Sequence, residues 1–263
     1  MPAFPAHPER RPAVVTGASS GLGRAIAVAL GAAGHPVALG ARRRHRLEEA
    51  AAEIRAAGGE AVALPLDLHD GDSVERFAKE AESVQGPTEV LVSCAGDVQP
   101  GDSVDMPPED FRRQVEVNLL GPQRLLHHLG AGMVERRRGD VVFVSSESAY
   151  LPWPHIAGYV AAKTGLEALA RTATMELEGT GVRAGIIRPG RAATEQASSW
   201  SEQDIVDHVT AWTRWGLLRH PGLLRGREVA AAVLAMVSMP RGAHISLLEV
   251  LPEAPVTEEG TTT

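Results

Sequence analysis

The run Thr16-Gly17-Ala18-Ser19-Ser20-Gly21-Leu22-Gly23 decides the fold. It follows the short β-branched stretch Ala13-Val14-Val15 and leads into the alanine-rich stretch Leu22 to Ala33, which ends at Gly34. A strand, a glycine-rich turn and a helix in that order form the first half of a βαβ unit. Glycines let the backbone turn sharply and approach a pyrophosphate, and the helix start offers free N–H groups and a positive dipole end. The spacing is G-x-x-x-G-x-G rather than the commoner G-x-G-x-x-G. A glycine-rich turn alone also suits an ordinary tight βα connection; its place after the first strand and before a helix favours nucleotide binding.

Working outward, apolar stretches continue to alternate in kind. Val37-Ala38-Leu39, Ala61 to Leu66, Val90-Leu91-Val92, Val141 to Val144, Val182 to Ile187 and Ile245 to Val250 read as further strands, making seven. The unbroken apolar runs suit strands covered on both faces. Between them, Arg46 to Ala57, Phe111 to Arg136 and Tyr159 to Glu178 read as helices, and Asp72 or Ser73 is expected to cap the helix after the third strand. Strands alternating with helices predict right-handed crossovers and an α/β doubly wound, mostly parallel seven-stranded sheet with helices on both faces. The sequence shows no repeat and no domain-sized linker, so one domain is expected over 1–263, with a core of about 12–252 and flexible ends at 1–10 and 255–263.

Composition narrows the function. The chain has 263 residues, with 26 Lys+Arg against 33 Asp+Glu, for a net charge of -7. A nucleic-acid binder usually carries a basic surplus, and this chain has none. One cysteine, Cys94, rules out an internal disulfide framework and a multi-cysteine zinc site, and His127-His128 makes no metal motif by itself. No apolar run approaches the roughly 20 residues that span a bilayer. The start, with Pro2, Pro5 and Pro8, has no apolar h-region. The expectation is a cytoplasmic chain without nucleic-acid, membrane or metal partners.

Only two lysines and two tyrosines occur, yet one of each stands in Tyr159-Val160-Ala161-Ala162-Lys163. Residues four apart share a helix face. A phenol titrates near 10 and is a poor acid–base group at neutral pH; a neighbouring ammonium is expected to lower that value and let the phenol trade a proton with a carbonyl or alcohol oxygen. In a chain that otherwise chooses arginine, a lysine here suggests a need for a compact ammonium. The second strand ends Gly40-Ala41-Arg42-Arg43-Arg44, with no acid to meet a ribose 2′-hydroxyl. Arginine there would receive a 2′-phosphate, so NADP(H) is expected over NAD(H).

Taken together, Thr16 to Gly23, Asp67-Leu68, Cys94-Ala95-Gly96, Asn118, Ser145-Ser146, Tyr159 to Lys163, and Pro189-Gly190 followed by Thr194 resemble the short-chain dehydrogenase/reductase family over about Pro12 to Pro252. The resemblance implies a nicotinamide-dependent oxidoreductase acting on a small-molecule carbonyl or secondary alcohol. It implies Tyr159 as catalytic acid–base, Lys163 as its partner and a holder of the nicotinamide ribose, and Ser146 as the hydrogen-bonding serine, with Ser145 as the near alternative. It implies Asn118 as a helix-kinking residue that supports a proton relay. Cofactor contacts are implied at Gly17, Ser19, Ser20, Gly21, Leu22, Gly23, Arg42, Arg43, Asp67, Leu68, Cys94, Ala95, Gly96, Pro189, Gly190 and Thr194, besides Tyr159 and Lys163. Asp67 would meet the adenine amine, with Leu68 beside the ring.

Two departures stand out. Cys94 occupies the place where the family usually has an asparagine that steadies the sheet, so that support must come from elsewhere. Ser20 stands where NADP-preferring members often carry a basic residue. All four tryptophans, Trp153, Trp200, Trp212 and Trp215, fall in two stretches that the family uses as pocket wall and lid, the lid spanning about 194–226. Ile205, Val209 and Trp212 share a helical face. Trp153, His155, Trp200 and Trp212 are candidate substrate-pocket residues, which favours a bulky apolar or aromatic substrate; packing of the lid or a subunit interface is the plain alternative. A ketoreductase is the leading reading. Its rivals are an NAD-dependent alcohol or hydroxysteroid-type dehydrogenase working oxidatively, and a catalytically silent cofactor-binding regulator. The family's tetramers use the two long helices, so a homo-oligomer, tetramer or dimer, is expected.

Overall fold

The computed structural model describes residues 4, 6–196, 198 and 200–256. The polar C-terminal stretch from 257, expected to be frayed, lies outside the described residues.

Seven parallel strands form one sheet: β1 (Ala13–Thr16), β2 (Val37–Ala41), β3 (Ala61–Pro65), β4 (Val90–Ser93), β5 (Gly139–Val144), β6 (Val182–Pro189) and β7 (Leu247–Val250). Their order is β3-β2-β1-β4-β5-β6-β7. Every residue of β1, β4 and β5 is buried, as their unbroken apolar character requires of strands covered on both faces. The helices are α1 (Gly21–Ala32), α2 (Arg44–Ala56), α3 (Gly71–Gln85), α4 (Pro108–Val115), α5 (Gly121–Glu135), α6 (Ala157–Glu176), α7 (Glu202–Arg214) and α8 (Gly226–Ser238). One face of the sheet packs on α1, α2 and α8 through a core that includes Ile26, Leu30 and Val233; the other packs on α3, α5 and α6 through Phe77, Leu125 and Leu166.

Two local expectations are corrected. The span Phe111 to Arg136 is not one helix: a π-helical turn at Glu116–Leu120 separates α4 from α5. The cap of α3 is Asp70, whose carboxylate accepts from Asp72 N, not Asp72 or Ser73; Ser73 Oγ instead accepts from Asp67 N at 3.0 Å.

The chain winds from β1 to β2 and β3 on one side, then returns to place β4 on the other side of β1. The carboxyl ends of β1 and β4 therefore flank a topological switch point, where open α/β sheets present ligand crevices. At the opposite end, Asp140 at the start of β5 is buried between Arg11 and Arg183, with Arg183 Nε 2.6 Å from Asp140 Oδ1.

Candidate active site

At the switch point, the turn from β1 into α1 forms one wall of a cleft of about 530 Å³. Gly17 has φ +70°, and a Cβ there would lie 2.8 Å from Ala95 Cα; a Cβ on Gly23 would lie 2.4 Å from the Gly17 carbonyl oxygen. Neither site admits a side chain, so the loop packs tightly on itself and on β4, with the start of α1 open to an anion. The cleft brings together Gly17, Ser19, Ser20, Gly21, Leu22 and Gly23 with Arg42, Arg43, Asp67 and Leu68, and with Cys94, Ala95, Gly96 and Thr194. A dinucleotide fits this cradle: a glycine loop at a helix start, basic residues after β2 and an aspartate after β3. Burial pushes the Asp67 carboxyl up, but hydrogen bonds from the His69 ring and backbone and the charge of Arg42 outweigh it and hold it below its usual range. Asp67 thus stays an acceptor.

With cysteine at position 94, the segment leaving β4 is tied to β1 by Thr16. Its Oγ1 accepts from Cys94 N and Ala95 N, both at 3.1 Å, tying the ends of β1 and β4 together. The Cys94 thiol is pushed up to about 12 by burial, against a lowering from Lys163, so it is protonated and unreactive at neutral pH.

Asn118 lies fully buried in the π-helical turn. Its Nδ2 donates to Asp97 O (2.7 Å) and Gln114 O (2.8 Å), and its Oδ1 accepts from Asp97 N (3.3 Å). The side chain thereby joins the widened turn to the segment after β4. On α6, Tyr159 and Lys163 share the inward face, 7% and 3% exposed. Lys163 Nζ donates to Val144 O at 2.8 Å and lies 5.7 Å from the Tyr159 ring centre. The two serines after β5 diverge. Ser145 Oγ donates to Glu167 at 2.9 Å, where Arg188 also binds, whereas Ser146 Oγ accepts from Ser148 N and Oγ and lines the same cavity as Tyr159.

The expected acidification of the phenol is corrected. Burial pushes Tyr159 up to about 12, although hydrogen bonds from Ser146 and Gln196 pull it down. The same burial brings Lys163 down to about 8, with Cys94 acting the other way. Desolvation disfavours both charged forms and is the largest cause of each shift.

A second cavity of about 440 Å³ adjoins the first, sharing Leu22, Cys94, Thr194 and Gln196. Ser146, Tyr159 and Lys163 line it together with Pro189 and Gly190. Its far wall is aromatic: the Trp153 and Trp212 rings meet edge to face at 4.8 Å, and Trp200 lies 6.3 Å from Trp212. The expected lid helix is α7, and its Ile205, Val209 and Trp212 face this cavity. Trp200 Nε1 donates to Val98 O and Trp212 Nε1 to Pro154 O.

One candidate, His155, and the remaining tryptophan lie elsewhere. His155, at φ +66°, pairs its ring with Asp102 and does not line the cavity, and Trp215 at the end of α7 is 71% exposed. His208 takes the inward position: it is buried, lines the cavity, and its ring centre lies 4.4 Å from that of Trp200. Gln196 and Glu147 also reach the cavity; burial pushes the Glu147 carboxyl up against the lowering charge of Arg191. Sequence reasoning missed His208 and Gln196. The helical spacing from Asp204 to His208 and the place of Gln196 two residues after Thr194 were the only signals.

A doubly wound parallel sheet with a glycine loop at its switch point, and a tyrosine and lysine one turn apart in the cavity that adjoins that cleft, define a dinucleotide-dependent oxidoreductase. The short chain dehydrogenase family model matches residues 11–205. A short chain dehydrogenase of Pseudocercospora fijiensis (strain CIRAD86) is 34% identical over 256 residues, covering 94% of this chain and 82% of that one. An alcohol dehydrogenase from the archaeon Thermococcus sibiricus, solved with 5-hydroxy-NADP, superposes with a TM-score of 0.80 at 30% identity, covering 95% of this chain and 100% of that one. A single-site variant of the actinorhodin polyketide ketoreductase, solved with NADPH, gives 0.82 at 29% identity, covering 93% and 97%. The chain belongs to the short-chain dehydrogenase/reductase family, whose members act on alcohol and ketone groups with nicotinamide cofactors. Among the described residues, no helix is long and apolar enough to cross a membrane, and no cluster of three or more metal-ligating side chains occurs.

Proposed function

We propose that this protein is an NADP(H)-dependent ketoreductase for bulky apolar or aromatic ketones, built as a single domain and working in the cytoplasm. The observation that carries the reading is the buried Tyr159 side chain, with Ser146 and Lys163, at the junction of the glycine-loop cleft and the tryptophan-walled cavity. A dihydronicotinamide held by the glycine loop, Tyr159 and Lys163 would supply the hydride chemistry for carbonyl reduction.

The residues of this chain manage the proton. A phenol held up to about 12 is protonated throughout the neutral range, so Tyr159 is ready to give its proton to the carbonyl oxygen as that oxygen gains charge. The Ser146 hydroxyl donates a hydrogen bond to the same oxygen. Lys163, fixed by Val144 O, holds the nicotinamide ribose and places positive charge where the phenolate forms. Asn118 keeps the α4–α5 junction and the segment around Asp97 in register beside them. Arg42 and Arg43 at the end of β2 suit a 2′-phosphate, a bidentate role that guanidinium fills well. The NADP-bound or NADPH-bound state of related structures supports the cofactor choice.

Trp153, Trp200, Trp212 and His208 shape an aromatic, largely apolar wall that favours aryl or polycyclic ketones over small sugars. Phe111, Leu120, Val134 and Met175 remain exposed on the α4–α5 span and on α6, the faces the family uses for assembly, and support a dimer or tetramer. The test is a panel of ketones read by loss of NADPH absorbance. Bulky aryl ketones should turn over with NADPH at least about tenfold better in kcat/KM than with NADH, a difference of about 1.4 kcal/mol. Turnover confined to small hydroxy-ketones, or a tenfold preference for NADH, would contradict the reading.

A further inference from the structure

The basic end of β2 is already engaged by an anion of the chain itself. Arg43 Nη1 lies 2.9 Å from Glu195 Oε2, and Arg46 Nη1 lies 2.8 and 2.6 Å from Glu195 Oε1 and Oε2. Arg43 also donates through Nη2 to Ser19 Oγ (3.1 Å) and Ser20 Oγ (2.6 Å), and through Nε to Ser19 Oγ (3.3 Å). The hydroxyls of the glycine loop, the arginine after β2 and the carboxylate beyond β6 therefore meet at one rim of the cleft. Arg42 lines the same rim and has no ion-pair partner among the described residues. Both arginines pull the Glu195 carboxyl below its usual range through hydrogen bonds and charge, Arg43 first, so Glu195 is an anion at neutral pH.

A carboxylate seated on two guanidinium groups satisfies the same donors that a phosphate monoester would. Glu195 lies between Thr194 and Gln196, so these ion pairs also hold the segment after β6 against the cleft.

We propose that Glu195, held in place by Arg46, is an internal competitor for the cofactor's 2′-phosphate, occupying the Arg43 guanidinium group that the phosphate would engage and setting the strength of NADP(H) binding. This deepens the NADP(H) reading and rests on it. A 2′-phosphate entering beside Arg42 meets both the competition for Arg43 and the repulsion of a fixed carboxylate. Neutralising Glu195 removes both, and it leaves untouched the contacts that a nucleotide without the 2′-phosphate makes. The pairs are half-exposed, so the effect is moderate and falls with salt.

The experiment is titration calorimetry on the full chain with 2′,5′-ADP and with 5′-AMP, which needs no turnover. Wild type should bind 2′,5′-ADP more tightly than 5′-AMP. Glu195→Gln should tighten 2′,5′-ADP by about three- to tenfold and leave 5′-AMP within about twofold. Glu195→Ala should do the same, which separates loss of charge from any effect of the amide. If wild type favours 2′,5′-ADP but both variants bind it no more tightly, or if both nucleotides shift equally, the competition is refuted while the NADP(H) reading stands. If neither wild type nor either variant favours 2′,5′-ADP over 5′-AMP, the NADP(H) reading fails and this inference with it.

Discussion

Thr16→Val tests how this chain stabilises the sheet beneath the cofactor cleft with cysteine at position 94. Thr16 is fully buried at the end of β1, and its Oγ1 is the acceptor for two backbone N–H groups of the segment leaving β4. Valine keeps the shape and replaces that acceptor with a methyl group. A buried donor left unpaired costs about 1–3 kcal/mol; these two donors are only partly buried, so the lower figure applies, and the pair sums to about 2 kcal/mol. With a urea m-value near 3 kcal/mol/M, the unfolding midpoint should fall by about 0.7 M at unchanged m. The loss should also reach the cleft. A Cβ on Gly17 would come within 2.8 Å of Ala95 Cα, so any parting of β1 and β4 shifts the glycine loop against Ala95 and Gly96. NADPH affinity should weaken several-fold in Thr16→Val and recover in Thr16→Ser, which restores the hydroxyl. The measurements are urea unfolding followed by fluorescence of the four tryptophans, and calorimetric titration with NADPH. A midpoint within about 0.2 M of wild type and an unchanged affinity would refute the reasoning.

Two further outcomes are expected. Asp140→Asn leaves the buried Arg11 and half-buried Arg183 guanidinium groups facing an uncharged amide, which should cost about 3 kcal/mol in denaturant unfolding; a loss below about 1 kcal/mol would show that the triad is dispensable. Reduction should show a one-sided pH profile. Tyr159, near 12, stays a proton donor across the assayable range, while Lys163, near 8, loses its charge as pH rises through that value, so kcat/KM should fall tenfold per pH unit above about 8; a profile flat to pH 10 would contradict the role of Lys163.

Much of this architecture is legible from one chain because its signals are local. The strand, glycine turn and helix at 13–33 need only residue type and order, and Tyr159 and Lys163 share a face because four residues make about one helical turn. Local patterns say less where packing decides. The apolar periodicity from Phe111 to Arg136 runs on through a π-helical turn, since one extra residue in a turn barely disturbs it, and the side chain that fills the turn, Asn118, finds its acceptor at Asp97 in a different segment. His155 and His208 are indistinguishable as residue types. Only the fold sends one ring to Asp102 and the other between Trp200 and Trp212. The sign of the Tyr159 shift escapes a sequence reading for the same reason: the lysine four residues on is visible in the sequence, but the burial that pushes the phenol up is a property of the assembled core. Glu195 lies 149 residues from Arg46, and no spacing rule links them.

The central claim is that the Tyr159 hydroxyl is the proton donor at a site that otherwise binds its cofactor without it. Tyr159→Phe removes that oxygen alone. Measured side by side, the NADPH dissociation constant should stay within about twofold of wild type while kcat for ketone reduction falls by about 10²- to 10⁴-fold. Undiminished turnover in that variant would contradict the account.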